Sequence, residues 1–299
     1  MNEGNELITV FCEGSHDIAF IYRIFKSLGY ETNDGCKIGD FPMPFNGLIQ
    51  QEAEKSNVEN LNLQEIRRGF LPARTLKRGN KFIFLYSIGS DTKQVPRQEM
   101  LKKLFSFIPA EGEISVLPEG TKLSGIYLFD ADDKGVTARL DYVNKEINAI
   151  IETEEIINFT ENGTYQTANE IKFGTYIFTG VDNNTGALED ILIPLMVADN
   201  EAIFESADSF LSTYFDDARL FPFKIKVDSS TNAITEDRST LKKDKYKFDS
   251  KKSIVGVVGQ LQCSGKANTV CISDSDYITL VKIEVDSKCI EVANFLNNI

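Results

Sequence analysis

Short apolar runs alternating with helical patterns constrain this chain more than any other feature. Five runs are rich in branched and aromatic residues: Leu7–Cys12, Lys81–Tyr86, Gly125–Phe129, Thr175–Phe178 and Ile278–Val285. Their length and composition read as buried strands. Helical spacing follows the first four, over Asp17–Leu28, Arg97–Phe107, Val136–Ile151 and Ala187–Val197. Strands that alternate with such helices build parallel sheets through crossover connections. The expected class is α/β.

The pattern breaks between Tyr30 and Asn80, where Gly, Pro and Asn punctuate the chain around one helix near Ile49–Leu71. This reads as a helical insertion at about 31–80, between the first two strands. A further helix is expected over Glu201–Phe215. Residues 224–250 are polar and charged and read as a loop or linker. An apolar helix, Ser253–Leu261, then leads to a closing strand and helix. The expected organisation is a core over 1–215 and, over 216–299, a basic linker with a strand/helix extension packed on that core.

Composition removes several chemistries. The single histidine, His16, rules out a multi-histidine zinc site and leaves a Ser-His-Asp triad one candidate base. Five scattered cysteines form no Cys-x-x-Cys pair, which argues against a disulfide framework and a zinc ribbon. No window approaches a membrane span and the first residues lack a secretory pattern, so the expected location is cytoplasmic, with no membrane partner. The net charge of −13 speaks against a nucleic-acid partner, but it is uneven. Residues 65–103 carry ten Lys/Arg against three Asp/Glu, and residues 219–252 carry ten against five. These segments read either as solvated surfaces or as a basic track for phosphates.

Carboxylates gather where a parallel sheet binds ligands, outside the carboxyl ends of its strands. Glu13 and Asp17 follow the first strand in "ITVFCEGSHD". Asp130, Asp132 and Asp133 follow the third in "GIYLFDADDKG". Glu189 and Asp190 open the helix after the fourth in "IFTGVDNNTGALEDIL". Asp17, Glu189 and Asp190 have an ordinary explanation, because the helix dipole favours acids in a first turn. Glu13, ending an apolar strand before Gly14, has no capping role. Convergent carboxylates repel one another unless a cation neutralises them, and hard oxygen donors suit Mg²⁺ or Mn²⁺.

The motifs "EGSHD" and "DADD", each after a strand, resemble the Toprim fold shared by topoisomerases, primases and the overcoming-lysogenization-defect (OLD) nucleases. The stretch "TGVDNNTGALEDIL" is most similar to the OLD-like branch and its stand-alone relatives, and "KKSIVGVVGQLQCSGKANTV" resembles the Lys-led helix of the same proteins. The insertion at 31–80 and the lack of an attached ATPase depart from that pattern. The resemblance implies a Toprim-like (Rossmann-like), mainly parallel sheet flanked by helices. It implies Glu13 as metal ligand or general base, assisted by Asp17. It implies Asp130, Asp132 and Asp133 as the Asp-x-Asp ligands, with Glu189 and Asp190 completing a second site for two Mg²⁺ or Mn²⁺ ions. Lys252, or Lys251 beside it, would be the cation at the scissile phosphate. The implied activity is metal-dependent cleavage of DNA or RNA, in an anti-phage defence setting with a separate ATPase partner; a homo-oligomer stays open.

Two rival readings remain: a non-catalytic Toprim-like scaffold that binds a nucleotide or an ATPase partner, and a phosphatase with Asp130 as nucleophile, in which Glu13 has no role. His16 reads as solvent-facing in a first helical turn, and Phe20, Tyr22 and Phe25 as core or helix-face residues. "GQLQCSGKA" is not a P-loop, because Ala267 stands where Ser or Thr would meet Mg²⁺.

Overall fold

A computed structural model describes residues 4–54, 71–109, 112, 114–151, 155–220, 223–238 and 248–299. Its centre is a seven-stranded sheet ordered β2-β3-β4-β1-β5-β7-β6. The strands are β1 (Glu6–Cys12), β2 (Glu31–Thr32), β3 (Arg74–Arg78), β4 (Lys81–Ser87), β5 (Lys122–Asp130), β6 (Thr164–Ala168) and β7 (Ile171–Phe178). β4, β1, β5 and β7 are parallel neighbours, whereas β2, β3 and β6 run antiparallel at the two edges. The α/β class with a mostly parallel central sheet is therefore observed.

Every parallel strand is covered on both faces, which is why each reads as an unbroken apolar run. Along β1, Ile8, Val10 and Cys12 face one core and Leu7 and Phe11 the other, the period of two that a strand dictates. The first core is closed by α1 (Ser15–Ser27), α5 (Glu189–Val197), α6 (Glu201–Tyr214) and α7 (Ser250–Gln262), together with the short helices α8 (Asn268–Asp274), α9 (Leu280–Val285) and α10 (Ser287–Asn297). The second is closed by α2 (Phe45–Glu54), α3 (Gln94–Phe105) and α4 (Val136–Asn148). The C-terminal helices belong to the main core: Arg23 of α1 donates to the carbonyls of Ile272 and Ser275, at 3.1 and 2.7 Å.

Several expectations need correction. Ile278–Val285 is not a strand: Leu280–Val285 is helical, started by Thr279, whose hydroxyl accepts the Lys282 N–H, and only Ile283 in it is buried. Residues 224–250 are not all loop. β8 (Phe223–Val227) and β9 (Ile234–Arg238) form a separate antiparallel hairpin. The helix expected over Ile49–Leu71 begins earlier, at Phe45, and is described to Glu54; its remainder falls outside the described residues. The insertion at 31–80 also supplies the edge strand β2 and its neighbour β3.

Chain order reverses at one place in the parallel set. The chain passes from β1 to β4 on one side, then returns across β1 to β5 and moves on to β7. The switch point therefore lies between β1 and β5, and the crevice beyond their carboxyl ends is where open α/β sheets bind ligands. Glu13 and Asp130 stand at those two ends.

Candidate functional site

Glu13 follows Cys12, the last paired residue of β1, and its Oε1 accepts the backbone N–H of Asp130 at 3.1 Å. The two carboxylates predicted from separate motifs are thus neighbours on adjacent strands. Gly89 sets this end of β1 from the other side. Its N–H donates to the Cys12 carbonyl at 2.7 Å, and a Cβ there would sit 2.6 Å from the Cys12 and Glu13 backbones.

Asp17 has the capping role that its place in the first turn suggests. Its Oδ2 accepts the Gly14 N–H at 2.8 Å, which closes the entry to α1. The other oxygen, Oδ1, is buried with no hydrogen-bond partner. Asp130 Oδ1 accepts the Leu188 N–H at 2.8 Å, just before α5. Neither Asp17 nor Asp130 forms an ion pair among the described residues.

Burial pushes the Glu13 carboxyl up to about 7, despite the opposing pull of the Asp130 N–H and the Arg139 charge. Burial, with a contribution from Glu189, pushes Asp17 up to about 6. Asp130 is held well above the usual carboxylate range, first by burial and then by the charges of Asp17 and Glu13. The charge of Asp17 thus raises both Glu13 and Asp130, and burial is the largest cause at all three.

Glu189 behaves oppositely. Burial alone would raise it, yet it lies below the usual value because His16 and Lys252 outweigh that cost. His16 Nδ1 is 3.2 Å and Lys252 Nζ 3.6 Å from Glu189 Oε1. Burial depresses the Lys252 ammonium, but Glu189, Asp249, Asp130 and Asp17 together hold it above its usual range. Lys251 instead pairs with Asp190 at 2.5 Å, and Asp190 also accepts the Ala187 N–H at 2.9 Å. Of the two lysines, Lys252 faces the carboxylates, while Asp190 serves the start of α5.

Asp132 is drawn to one side. Its backbone is left-handed (φ 49°), a conformation Asp tolerates, and it exchanges backbone hydrogen bonds with Gly186 at 2.7 and 3.1 Å. Its carboxylate pairs with Arg139, a buried arginine that also meets Asp91 at 2.6 Å and Glu13 at 3.7 Å. Asp133 is exposed in the turn. The structure thus gathers Glu13, Asp17, Asp130, Glu189 and Lys252, and sets Asp132, Asp133, Asp190 and Lys251 around them.

Sequence reasoning missed Arg139, Asp91 and Gly89, and discounted His16. One signal was available: Arg139 lies on the α4 stripe of Leu140, Val143 and Ile147, where a charge needs a partner. The two basic segments are described only in part. Arg97 is buried, and Lys81 pairs with Glu6 at the opposite sheet edge, while Arg67, Arg68, Lys242, Lys243, Lys245 and Lys247 fall outside the described residues.

Among the described residues, no three His, Cys, Asp or Glu side chains are gathered closely enough to hold a metal ion as they stand. The case for a cation therefore rests on Asp17 and Asp130, which have no ion pair among the described residues, and on Asp17 Oδ1, which has no hydrogen-bond partner among them. Carboxylate oxygens in this number are donors of the kind Mg²⁺ and Mn²⁺ take.

No protein-family model matches the chain, and neither does any curated protein. One solved structure, the hypothetical protein PH0156 from Pyrococcus horikoshii OT3, is similar over 99% of this chain and 95% of its own, at 12% identity and a TM-score of 0.46. That likeness is too distant to carry chemistry. No helix among the described residues is long and apolar enough to cross a membrane.

Proposed function

We propose that this chain is a Toprim-type, Mg²⁺- or Mn²⁺-dependent phosphodiesterase acting on DNA or RNA. The observation that carries the reading is the trio of a buried Asp17 and half-buried Glu13 and Asp130 at the sheet's switch point, with Lys252 facing it from α7. Asp17 and Asp130 would hold the cation, with Glu189 and Asp132 at its margins. A divalent ion bound there supplies charge neutralisation and polarises a phosphate oxygen. Glu13, with a carboxyl near neutrality, is suited to take a proton from the attacking water. Lys252 offsets the charge that grows on the phosphoryl oxygens as the phosphorus–oxygen bond breaks. A role as an anti-phage effector beside a separate ATPase rests on the sequence resemblance.

The test is cleavage of plasmid DNA and of RNA with Mn²⁺, by the parent and by Glu13→Gln. Loss of at least about a hundredfold in the variant is expected, the scale of a lost general base. Equal cleavage by both would remove Glu13 from the chemistry.

A second reading is a non-catalytic scaffold that binds a nucleotide or an ATPase. The observation that favours it is that the described carboxylates are not drawn into a formed ligand set. A parent that cleaves nothing, with a melting temperature indifferent to Mn²⁺, supports it.

A further inference from the structure

Beside the carboxylates the same sheet edge opens into a cavity of about 180 Å³ that the chemistry above does not use. Ile18 and Ala19 of α1 form one apolar wall and Val270 of α8 belongs to the other. The position of this slot is fixed by the strands. Ser87, at the end of β4, lines it and is paired in register with Cys12, and Ser15 lines it two residues beyond Glu13. Whatever fills the cavity is therefore adjacent to the end of β1 that carries Glu13.

The lining is selective about charge. Its polar groups include the hydroxyls of Ser15, Ser87 and Ser273, which both donate and accept, and among the described residues no carboxylate lines it. Among the described lining residues the one cation, Arg74, is already paired with Asp34 at 3.0 Å. The Arg74 guanidinium lies over the Tyr22 ring, 5.2 Å from its centroid, and the Tyr22 hydroxyl is held by Thr32 at 2.6 Å. The slot thus combines apolar walls, a fixed pair of planar groups and neutral hydrogen-bonding rims. That combination suits a flat, uncharged heterocycle better than a phosphate, and bases stack on aromatic rings and on arginine planes alike. A base inside a duplex cannot enter such a slot without leaving its stack, whereas a single strand presents one freely.

We infer that this cavity receives an unpaired nucleobase next to the phosphate engaged at Glu13 and Asp130, and that the substrate is single-stranded nucleic acid. The inference rests on the phosphodiesterase reading and names its substrate class.

The test uses the full chain and two cavity variants: Ser273→Phe, on the partly exposed rim, and Ala19→Leu, on the buried wall. Thermal melts show whether each variant folds. In the first arm, adenosine and uridine monophosphates are titrated without divalent ions, with inorganic phosphate as control. The nucleotides should bind the parent and weaken at least about fivefold in Ser273→Phe, with phosphate binding unchanged. In the second arm, Mn²⁺-supported cleavage of a single-stranded oligonucleotide is compared with its duplex and with a strand carrying one abasic position. The single strand should be preferred at least about tenfold, and Ser273→Phe should erase the preference over the abasic strand. Cleavage of single strand, duplex and abasic strand at equal rates overturns the base slot and leaves the phosphodiesterase standing. Nucleotide binding that Ser273→Phe weakens, in a chain that cleaves nothing, keeps the slot and overturns the phosphodiesterase. Absence of both cleavage and nucleotide binding overturns both.

Discussion

Two clusters of buried charge lie within reach of the same β4–α3 loop, and they are built on opposite terms. In one, Arg97 and Glu146 are fully buried and meet in two bonds of 2.8 Å. Arg97 also donates to the carbonyls of Ile88 and Ser90, at 2.6 and 2.8 Å, and to the Tyr142 hydroxyl at 2.7 Å. All five of its N–H groups are used, and Tyr127 adds a bond to Glu146 at 3.2 Å. In the other, desolvation raises Glu13, Asp17 and Asp130, the charges of Asp17 and Glu13 raise Asp130 further, and Asp17 Oδ1 has no partner among the described residues. A buried charge kept for structure is satisfied within the fold. One left unsatisfied at a switch point is what the proposed cation site would need. Gly89 joins the two clusters, since Arg97 grips the carbonyls on either side of it while its own N–H holds the end of β1.

The largest effect should come from breaking the satisfied cluster. Arg97→Met leaves Glu146 buried without its ion-pair partner, a loss of about 3–5 kcal/mol in stability. Denaturant melts of this variant check it; a loss below about 1 kcal/mol would mean the two clusters do not differ as described. Gly89→Ala, at the junction, should cost about 1–3 kcal/mol, because the new methyl meets backbone rather than a movable side chain. It should also reduce cleavage more than its melting temperature implies, since Glu13 is displaced. Unchanged activity in a folded Gly89→Ala protein would separate the loop from the site.

The smallest effect is a pH dependence confined to the unsatisfied cluster. The Glu13 carboxyl rises from an ordinary 4.5 to about 7 on folding, so the folded chain holds that proton more tightly than the unfolded chain. Its contribution is fully present below about pH 4.5 and is lost as pH climbs through 7. Glu13→Gln removes this loss. Without metal, the melting temperature of the variant relative to the parent should be near constant below pH 4.5 and climb by a few degrees towards pH 7.5. A flat difference across that window would mean that Glu13 is not desolvated in the folded chain.

The sequence announces one of these clusters and hides the other. β1, β4, β5 and β7 were legible because strands covered on both faces read as apolar runs. β2, β3 and β6 were not, since "ET", "RTLKR" and "TYQTA", the edge strands and the one beside β2, have few apolar residues to bury. Ile278–Val285 misled because its branched residues suit a strand, whereas the Thr279 cap and the burial of Ile283 decide for a helix. The hairpin at 223–238 escaped notice for want of a core; Ile225, Val227 and Ile234 are exposed. Glu13, Asp17, Asp130, Glu189 and Lys252 could be found because they follow strands or open helices. Arg139, Asp91 and Gly89 could not, as their importance lies in contacts across elements that local sequence does not encode.

The central claim is that Asp17 and Asp130, which have no ion pair among the described residues, hold a divalent cation, and Asp130→Asn addresses it most directly. Asn keeps an oxygen for the Leu188 N–H and removes one of the repelling charges. Thermal melts of parent and variant are recorded at pH 7.5 over a range of Mn²⁺ concentrations. The account predicts a parent melting temperature that rises with the logarithm of Mn²⁺ above its dissociation constant. It predicts a variant that is as stable as the metal-free parent or more so, and that no longer responds to Mn²⁺. A parent indifferent to Mn²⁺, or a variant that responds as the parent does, would contradict it.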